Sequence, residues 1–145
     1  MIDETYDDEY ATCKATFATF RLYHPDLDAG AITAKLGVQP TRTQLRGVAP
    51  RDGGRVAVTG GWFLSSEESV SSRDVRRHLD WVLDQLTPVA HELAALQAAG
   101  YEADVSCYWL SASGHGGPGI RPSAAAKLVS LGLEVWFDVY FDSEM

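Results

Sequence analysis

The sequence contains few cysteines, few basic residues and no long apolar run. Its two cysteines, Cys13 and Cys107, are too few for a disulfide framework, and both lie in apolar segments where buried free thiols are expected. There is no Cys-x-x-Cys motif and no metal-spaced pair of Cys or His, so we predict no metal and no cofactor. No stretch approaches the roughly 20 apolar residues of a membrane span. The acidic N-terminus does not resemble a signal peptide, which predicts a cytoplasmic protein with no membrane partner.

Basic residues are outnumbered: 12 Lys and Arg stand against 20 Asp and Glu, a formal net charge of -8. Binding a phosphate backbone requires clustered cations, so we predict no nucleic-acid partner. The charge is uneven, however. Residues 1–12 form an acidic N-terminal tail, whereas the predicted hairpin 42–55 carries Arg42, Arg46, Arg51 and Arg55 against Asp52. The tail could neutralise this hairpin within or between molecules, although two separately solvated segments are the simpler interpretation.

The C-terminal segment 133–142 alternates with a strict period of two, which predicts a β-strand inside the sheet. Its odd-numbered residues are apolar and are expected to face the core. Its even-numbered residues are aromatic or acidic, namely Glu134, Trp136, Asp138, Tyr140 and Asp142. Further strands are predicted over 13–24, with a bulge near Ala18 as one explanation of its imperfect alternation, over 56–66 and over 101–111.

Residues 71–99 carry the strongest helical signal, because apolar residues recur at alternating spacings of four and three. They are Val75, Leu79, Val82, Leu86, Val89, Leu93 and Leu96. Ser71 with Asp74 predicts a capping box, and Pro88 predicts a kink or a restart. Asp80 is predicted to face solvent. Shorter helices are predicted from Asp26 or Asp28 to residue 36 and, capped by Ser123, over 124–131.

These elements predict a single α+β domain over residues 13–145. We expect a four- to five-stranded, mainly antiparallel sheet with its helices on one face. Two strand–helix–strand halves, joined by the long kinked helix, predict a ferredoxin-like arrangement.

Several short motifs, taken in order, resemble a bacterial family known as domain of unknown function 4279. They are Leu36-Gly37-Val38-Gln39-Pro40-Thr41, Gly47, Gly61-Trp62-Phe63-Leu64-Ser65-Ser66, Leu131-Gly132-Leu133 and Phe137-Asp138-Val139-Tyr140. The resemblance spans roughly residues 13–142. It implies no established activity, substrate or catalytic residue.

The first candidate site is the even-numbered face of the last strand. Tyr108, Trp136 and Tyr140 would form an aromatic platform flanked by carboxylates, including Asp138. Aromatic sheet faces stack bases in some RNA-binding domains, but the acidic flanks favour a cationic ligand, a peptide or a protein partner here. Alternatively, a homodimer mate, the acidic tail or the Arg-rich hairpin covers this face.

Two further candidates remain. The loop Gly114-His115-Gly116-Gly117-Pro118-Gly119 matches G-x-G-x-x-G, with Asp138 about twenty residues on, but Pro118 and Pro122 delay the helix and favour a flexible loop. Arg42, Arg46 and Arg51 could bind an anion or an acidic partner. The four histidines are scattered, with no zinc spacing, and are expected at the surface or on helix flanks: His24, His78, His91 and His115.

Two function classes follow. The first is a non-enzymatic binding protein, of immunity or regulatory type, that recognises a protein or small molecule through the sheet face or the Arg-rich hairpin. The second is a small enzyme or nucleotide-binding protein with its site at the loop 114–119. No catalytic constellation is readable in the sequence, which favours the first class.

Overall fold

A computed structural model describes residues 5–51 and 53–141. The strands are β1 (Cys13–His24), β2 (Arg42–Gln44), β3 (Gly60–Ser65), β4 (Glu102–Ser111) and β5 (Glu134–Phe141). The helices are α1 (Ala29–Leu36), α2 (Val75–Leu86), α3 (Ala90–Ala98) and α4 (Pro122–Leu131), and a single 3-10 turn, Thr87–Val89, joins α2 to α3. The prediction of an α+β fold is confirmed.

The five strands form one mixed sheet in the order β2-β3-β1-β4-β5. β1 pairs antiparallel with both β3 and β4, and β2 pairs antiparallel with β3, but β4 and β5 run parallel. A parallel pair needs a crossover connection, which α4 supplies between β4 and β5. The prediction of a mainly antiparallel sheet is therefore wrong, and the ferredoxin-like arrangement is not confirmed.

One hydrophobic core lies between the sheet and the helices. The helical stripe predicted from the sequence faces it, and only Val89, in the 3-10 turn, is partly rather than fully buried. The strands contribute alternate residues: Ala18, Phe20 and Leu22 from β1, Trp62 and Leu64 from β3, and Val105, Cys107 and Trp109 from β4. The other face of the sheet has no helix packed on it in the described part of the chain.

The predicted long helix is interrupted at Pro88 as expected, because proline cannot donate the backbone hydrogen bond there. Its start is later than predicted. Asp74, not Ser71, is the N-cap residue, and its side chain accepts from the amide of Arg76. Asp80, predicted to face solvent, is instead buried, and its carboxylate accepts a hydrogen bond from the Tyr6 hydroxyl. A hydrogen-bond partner explains why a carboxylate is tolerated there.

The two shorter helices follow ordinary capping rules. The sequence predicted Asp26 or Asp28 as the cap of α1. Asp28 is the cap, and its side chain accepts from the amide of Ala31. α4 begins two residues earlier than predicted, at Pro122, so Ser123 is not its cap. Proline is well suited to the first helical position, since its missing N–H would have had no partner there.

The irregularities in the strands are not where the sequence predicted them. β1 has its register shift between Cys13 and Ala15 rather than near Ala18. The glycine pair that opens β3, Gly60 and Gly61, makes no bulge against β1, since both glycines pair in register with it. Gly60 is required for close packing, because a Cβ there would lie 2.7 Å from the carbonyl oxygen of His24.

β5 differs most from its prediction, because it is an edge strand and not an inner one. Val135 packs against the core, but the odd-numbered face is exposed from Phe137 onward. The helices cover β1 and β4 and reach only the beginning of β5. Asp142, the last residue of the predicted strand, lies outside the described residues.

Candidate functional site

The face of the sheet opposite the helices carries a row of three aromatic rings. Phe17 of β1 stacks on Tyr108 of β4 with ring centroids 5.0 Å apart, and Tyr108 lies 5.5 Å from the ring of Tyr140 on β5. Trp136 shares this face, and its Nε1 donates to Glu134 Oε2 at 3.0 Å. The structure therefore brings Tyr108 and Tyr140 into contact and places Trp136 on the same face. We refer to the surface formed by Phe17, Tyr108, Trp136 and Tyr140 as the aromatic face.

The carboxylates beside the aromatic face differ in their partners. Asp104 forms a two-point ion pair with Arg21, with both nitrogen–oxygen distances at 2.7 Å, so its charge is neutralised within the sheet. Asp138 accepts a hydrogen bond from the Tyr140 hydroxyl, and that bond together with the negative charge raises the pKa of Tyr140. Asp138 and Glu134 are exposed. Two acids thus remain at the solvent-facing border of the aromatic face.

Sequence reasoning did not identify Phe17 and Arg21 as part of this surface. Both lie on the same face of β1, because they are an even number of residues apart. Their register partners on β4 are Tyr108 and Asp104. The alternation of β1 was visible in the sequence. Its pairing with β4 joins residues far apart in the chain, 83 positions for Arg21 and Asp104, and no local sequence pattern reveals it.

β5 exposes apolar side chains on both of its faces. Five large residues in this one strand are between 38% and 57% exposed: Trp136, Phe137, Val139, Tyr140 and Phe141. Only β4 pairs with β5 in the described chain, so the backbone groups on its other side have no strand partner. Natural edge strands are usually protected by charge, proline or a covering element, and large exposed apolar patches are uncommon on proteins.

The Arg-rich hairpin lies at the opposite edge of the sheet. Arg42, in β2, places its guanidinium 4.2 Å from the ring centroid of Phe63, and Arg46 lies 3.6 Å from Asp26. Arg51 lines a cleft of about 550 Å³ with Arg42 and Arg55. The strand order places this hairpin and the aromatic face at opposite edges of the sheet. The arginine residues and the aromatic residues predicted from the sequence therefore belong to two separate surfaces.

The acidic N-terminal segment lies against the start of α2 through its described residues. Asp8 pairs with Arg77 at 2.8 Å and accepts from the Ser72 hydroxyl at 2.6 Å. The hydrogen bond from Arg77 and the one from Ser72 hold the pKa of Asp8 below its usual value. The amide of Asp7 donates to Asp74. These contacts dock the described part of the segment, from residue 5 onward, on the start of α2.

The glycine-rich loop folds on itself at the end of β4. Ser111 Oγ accepts from the amide of Gly114 and donates to the carbonyl of His115. Gly116 has a φ of 78°, and a Cβ there would lie 2.2 Å from Thr12 Oγ1, so glycine is required. Gly119 precedes α4 and is not within it, and the side chain of Asp138 lies on the opposite face of the sheet from the helices. The loop and Asp138 therefore do not form a joint dinucleotide site.

A serine–histidine pair lies in the core and is inaccessible. Ser66 Oγ lies 2.6 Å from His78 Nδ1, and His78 Nε2 lies 2.8 Å from the carbonyl of Ser72. Because a carbonyl can only accept, Nε2 carries the proton and Nδ1 accepts from Ser66. Both side chains are fully buried, although His78 was expected at the surface or on a helix flank, and burial lowers the pKa of His78. The pair ties β3 to α2 and offers no nucleophile to a substrate.

The described residues were also searched for metal-binding groups and for membrane-spanning helices. No group of three or more His, Cys, Asp or Glu is arranged to hold a metal ion within residues 5–51 and 53–141. No helix in that part of the chain combines the length and apolar character needed to cross a bilayer.

Comparison with known families decides the family assignment. A family model described as "Domain of unknown function (DUF4279)" matches residues 12–142. The chain belongs to the DUF4279 family. The resemblance inferred from the short motifs is thereby confirmed. Neither a curated protein nor a solved structure matches the chain.

The motifs that indicated DUF4279 have structural roles in this chain. Gly37 ends α1 in the left-handed conformation, and Trp62 donates from Nε1 to Thr33 Oγ1 in the core. Ser66 belongs to the buried network with His78. Only the last motif, 137–140, lies on an exposed strand. Gly37, Trp62 and Ser66 of these motifs therefore serve the fold of this chain.

Proposed function

We propose that this DUF4279 protein is a binding protein that captures an extended, basic segment of a partner protein along β5. The observation that carries the proposal is the exposure of five large apolar side chains on this one edge strand. An exposed strand of this composition is unfavourable in water and becomes favourable when a partner covers it.

The free edge of β5 suggests how a partner would bind. An extended segment can add to an exposed edge as a further strand, with its main chain hydrogen-bonding to the free backbone groups and its alternate side chains filling surface pockets. β5 is eight residues long, which is ample for such pairing. Phe137 and Val139 on one face, and Trp136 and Tyr140 on the other, would contact alternate side chains of the added strand.

The charge of the edge selects the chemistry of the partner. Glu134 and Asp138 lie on the same face as Trp136 and Tyr140, and they are exposed. Lys and Arg side chains can pair with such carboxylates and lie over the aromatic rings. A second copy pairing antiparallel through its own β5 would bring like carboxylates close together, which disfavours a homodimer through this edge.

The wider biological role belongs to the same proposal. A protein that acts by occupying a strand of another protein suits an immunity-type or regulatory function in the cytoplasm. The buried serine–histidine pair, and the engagement of Asp104 by Arg21, support a binding role over catalysis.

Isothermal titration with two strand-forming peptides tests this proposal. One peptide alternates Lys and Val, and the control peptide alternates Glu and Val. We expect the basic peptide to bind and the double variant Glu134→Lys/Asp138→Lys to lose at least about tenfold in affinity, since close charge pairs contribute on the order of 1.4 kcal/mol or more.

A matched control separates local contacts from net charge. Glu9→Lys/Glu68→Lys makes the same change in net charge at two exposed positions away from β5, and it should retain binding to within about twofold. Equal binding of both peptides, or unchanged affinity in the β5 variant, would contradict the proposal. Sedimentation experiments test the alternative of self-association. Concentration-dependent dimerisation that is lost in Trp136→Ala would show that a second copy of the chain, and not another protein, binds β5.

A further inference from the structure

The cleft in the Arg-rich hairpin lies at the opposite edge of the sheet from β5. Its volume of about 550 Å³ falls within the range of roughly 300–1,000 Å³ that is typical of small-molecule sites. None of its described lining residues is acidic. Among them are three arginines and three apolar residues, namely Arg42, Arg51, Arg55, Leu45, Val48 and Pro50. We refer to this space as the arginine cleft.

Backbone hydrogen bonds hold the two limbs of the hairpin together beside the arginine cleft. The amide of Gly47 donates to the carbonyl of Ala57 at 2.8 Å, and the amide of Ala57 donates to the carbonyl of Val48 at 3.2 Å. At the β2 end, the guanidinium of Arg42 lies over the ring of Phe63, 4.2 Å from its centroid. The walls of the cleft are thus supported by main-chain pairing and by a ring contact.

The arginines at the tip of the hairpin differ from others in the chain because they lack a carboxylate partner. Arg21 and Arg77 each pair with an aspartate, at 2.7 and 2.8 Å. In the described part of the chain, no carboxylate forms an ion pair with Arg51 or Arg55. Even with Asp52, which lies outside the described residues, the hairpin carries four arginines and one acid. Positive charge is therefore in excess here, in a chain whose net charge is -8.

The charge and the apolar wall together indicate the ligand. A phosphate monoester carries a charge of about −1.5 to −2 at pH 7 and three acceptor oxygens, so it can accept from more than one guanidinium group. Leu45 and Val48 are 55% and 52% exposed, and an apolar body in the cleft would cover them. We propose that the arginine cleft binds a soluble organic phosphate with an apolar body, with Arg51 and Arg55 donating to the phosphate. This site is independent of the partner strand proposed for β5.

The net charge of the chain favours a small ligand over a larger polyanion. A nucleic acid or an anionic membrane would meet the arginine cleft and also the acidic surface around it. A small phosphate interacts mainly with the nearby guanidinium groups, because salt screens exposed charges farther away than about 8–10 Å. The same phosphate chemistry is therefore less favourable on a polynucleotide or a membrane surface.

Titration with phenyl phosphate, followed in a nitrogen–proton correlation spectrum, tests this proposal. The backbone amide signals of Arg51 and Arg55 should move saturably, with a dissociation constant of about 1 mM or lower. The amide signal of Arg21, whose side chain is already paired, should stay in place. Inorganic phosphate lacks the ring and benzoate carries less charge, so each should bind at least about tenfold more weakly.

A pair of double variants tests the role of the two arginines. Arg51→Gln/Arg55→Gln removes two charges at exposed positions, so the domain should stay folded while the affinity for phenyl phosphate falls at least about tenfold. Lys35→Gln/Arg73→Gln is the matched control, because it removes the same charge at two exposed positions that do not line the cleft. It should retain the affinity to within about twofold.

Several results would overturn the proposal. One is that the hairpin signals stay in place at about 20 mM phenyl phosphate, 20-fold the expected dissociation constant. Another is an equal loss of affinity in the two double variants, or equal affinity for inorganic phosphate or benzoate. Cosedimentation with vesicles that contain phosphatidic acid, without a response to phenyl phosphate, would assign the arginines to a membrane surface instead.

Discussion

β4 and β5 are neighbouring parallel strands with nearly the same alternating pattern, yet they have opposite environments. The apolar residues of β4, Val105, Cys107 and Trp109, are fully buried, whereas their register partners on β5, Val135, Phe137 and Val139, become progressively exposed. The difference arises because the helices pack over β1 and β4 and reach only the beginning of β5. Alternation therefore identifies a strand and its two faces, but the covering layer decides which face is a core.

This comparison also separates the stabilising part of the protein from the part available for function. The buried side carries the helical stripe and the Ser66–His78 pair, where substitutions act on folding. The exposed edge carries aromatic residues and acids that contribute little to the core, so selection for binding could act there without loss of stability.

The largest expected difference between the two strands is in thiol reactivity. Burial raises the pKa of Cys107 to about 12, while its register partner Phe137 lies on the same face and is partly exposed. A cysteine introduced by Phe137→Cys should react with a disulfide reagent at pH 8 at least about 1,000-fold faster than Cys107, since the thiolate is the reactive form.

Absorbance of the released thiolate measures both rates, and the unfolded variant in guanidinium gives the total thiol count. Cys13, with its pKa raised by burial to about 11, should also react slowly in the native state. Rapid reaction of the wild-type protein would show that β4 is not covered as described.

The next difference is in stability, measured by a pair of identical substitutions. Val105→Ala on β4 should lower the free energy of unfolding by about 2 kcal/mol, because it removes buried methyl groups and leaves a cavity. Val139→Ala on β5 should lower it by less than about 0.5 kcal/mol, because that side chain is half exposed. Urea denaturation measures both values, and similar losses would mean that β5 is covered to the same extent as β4.

The smallest expected effect is a dependence of stability on pH that belongs to the buried side alone. Burial lowers the pKa of His78 below 6.5, so the unfolded chain binds a proton more readily than the native protein. This contribution to stability is complete above about pH 6.5 and is lost as the pH falls toward the folded-state pKa, with a slope of at most about 1.4 kcal/mol per pH unit.

Urea midpoints between pH 7.5 and 5 measure this slope. His78→Asn should reduce the slope at the expense of overall stability, because the hydrogen bonds to Ser66 and Ser72 are weakened. His115→Gln, in the exposed loop, should keep the wild-type slope. The carboxylates whose pKa values are lowered, Asp8 and Asp74, act only near and below pH 4 and so leave this window undisturbed.

Much of the local structure was predictable from the sequence. The stripe from Val75 to Leu96, the interruption at Pro88 and the ends of α1 follow from helical periodicity and capping chemistry, which depend on residues close together in the chain. The aromatic residues of the candidate site were also identified, because alternation placed Trp136 and Tyr140 on one face. The neighbours Phe17 and Arg21, and the burial of Asp80 and His78, were not predictable, since each depends on a distant segment.

Periodicity by itself indicated where the helices and the four longer strands of this DUF4279 protein lie, because this preference is a local property of the backbone and its nearest side chains. Only the tertiary structure decided that β5 is an edge, that it runs parallel to β4 and that its apolar residues face solvent. The physical reason is that strand order and coverage depend on how α2, α3 and α4 pack over the sheet, and that packing is a sum of long-range contacts with no local signature.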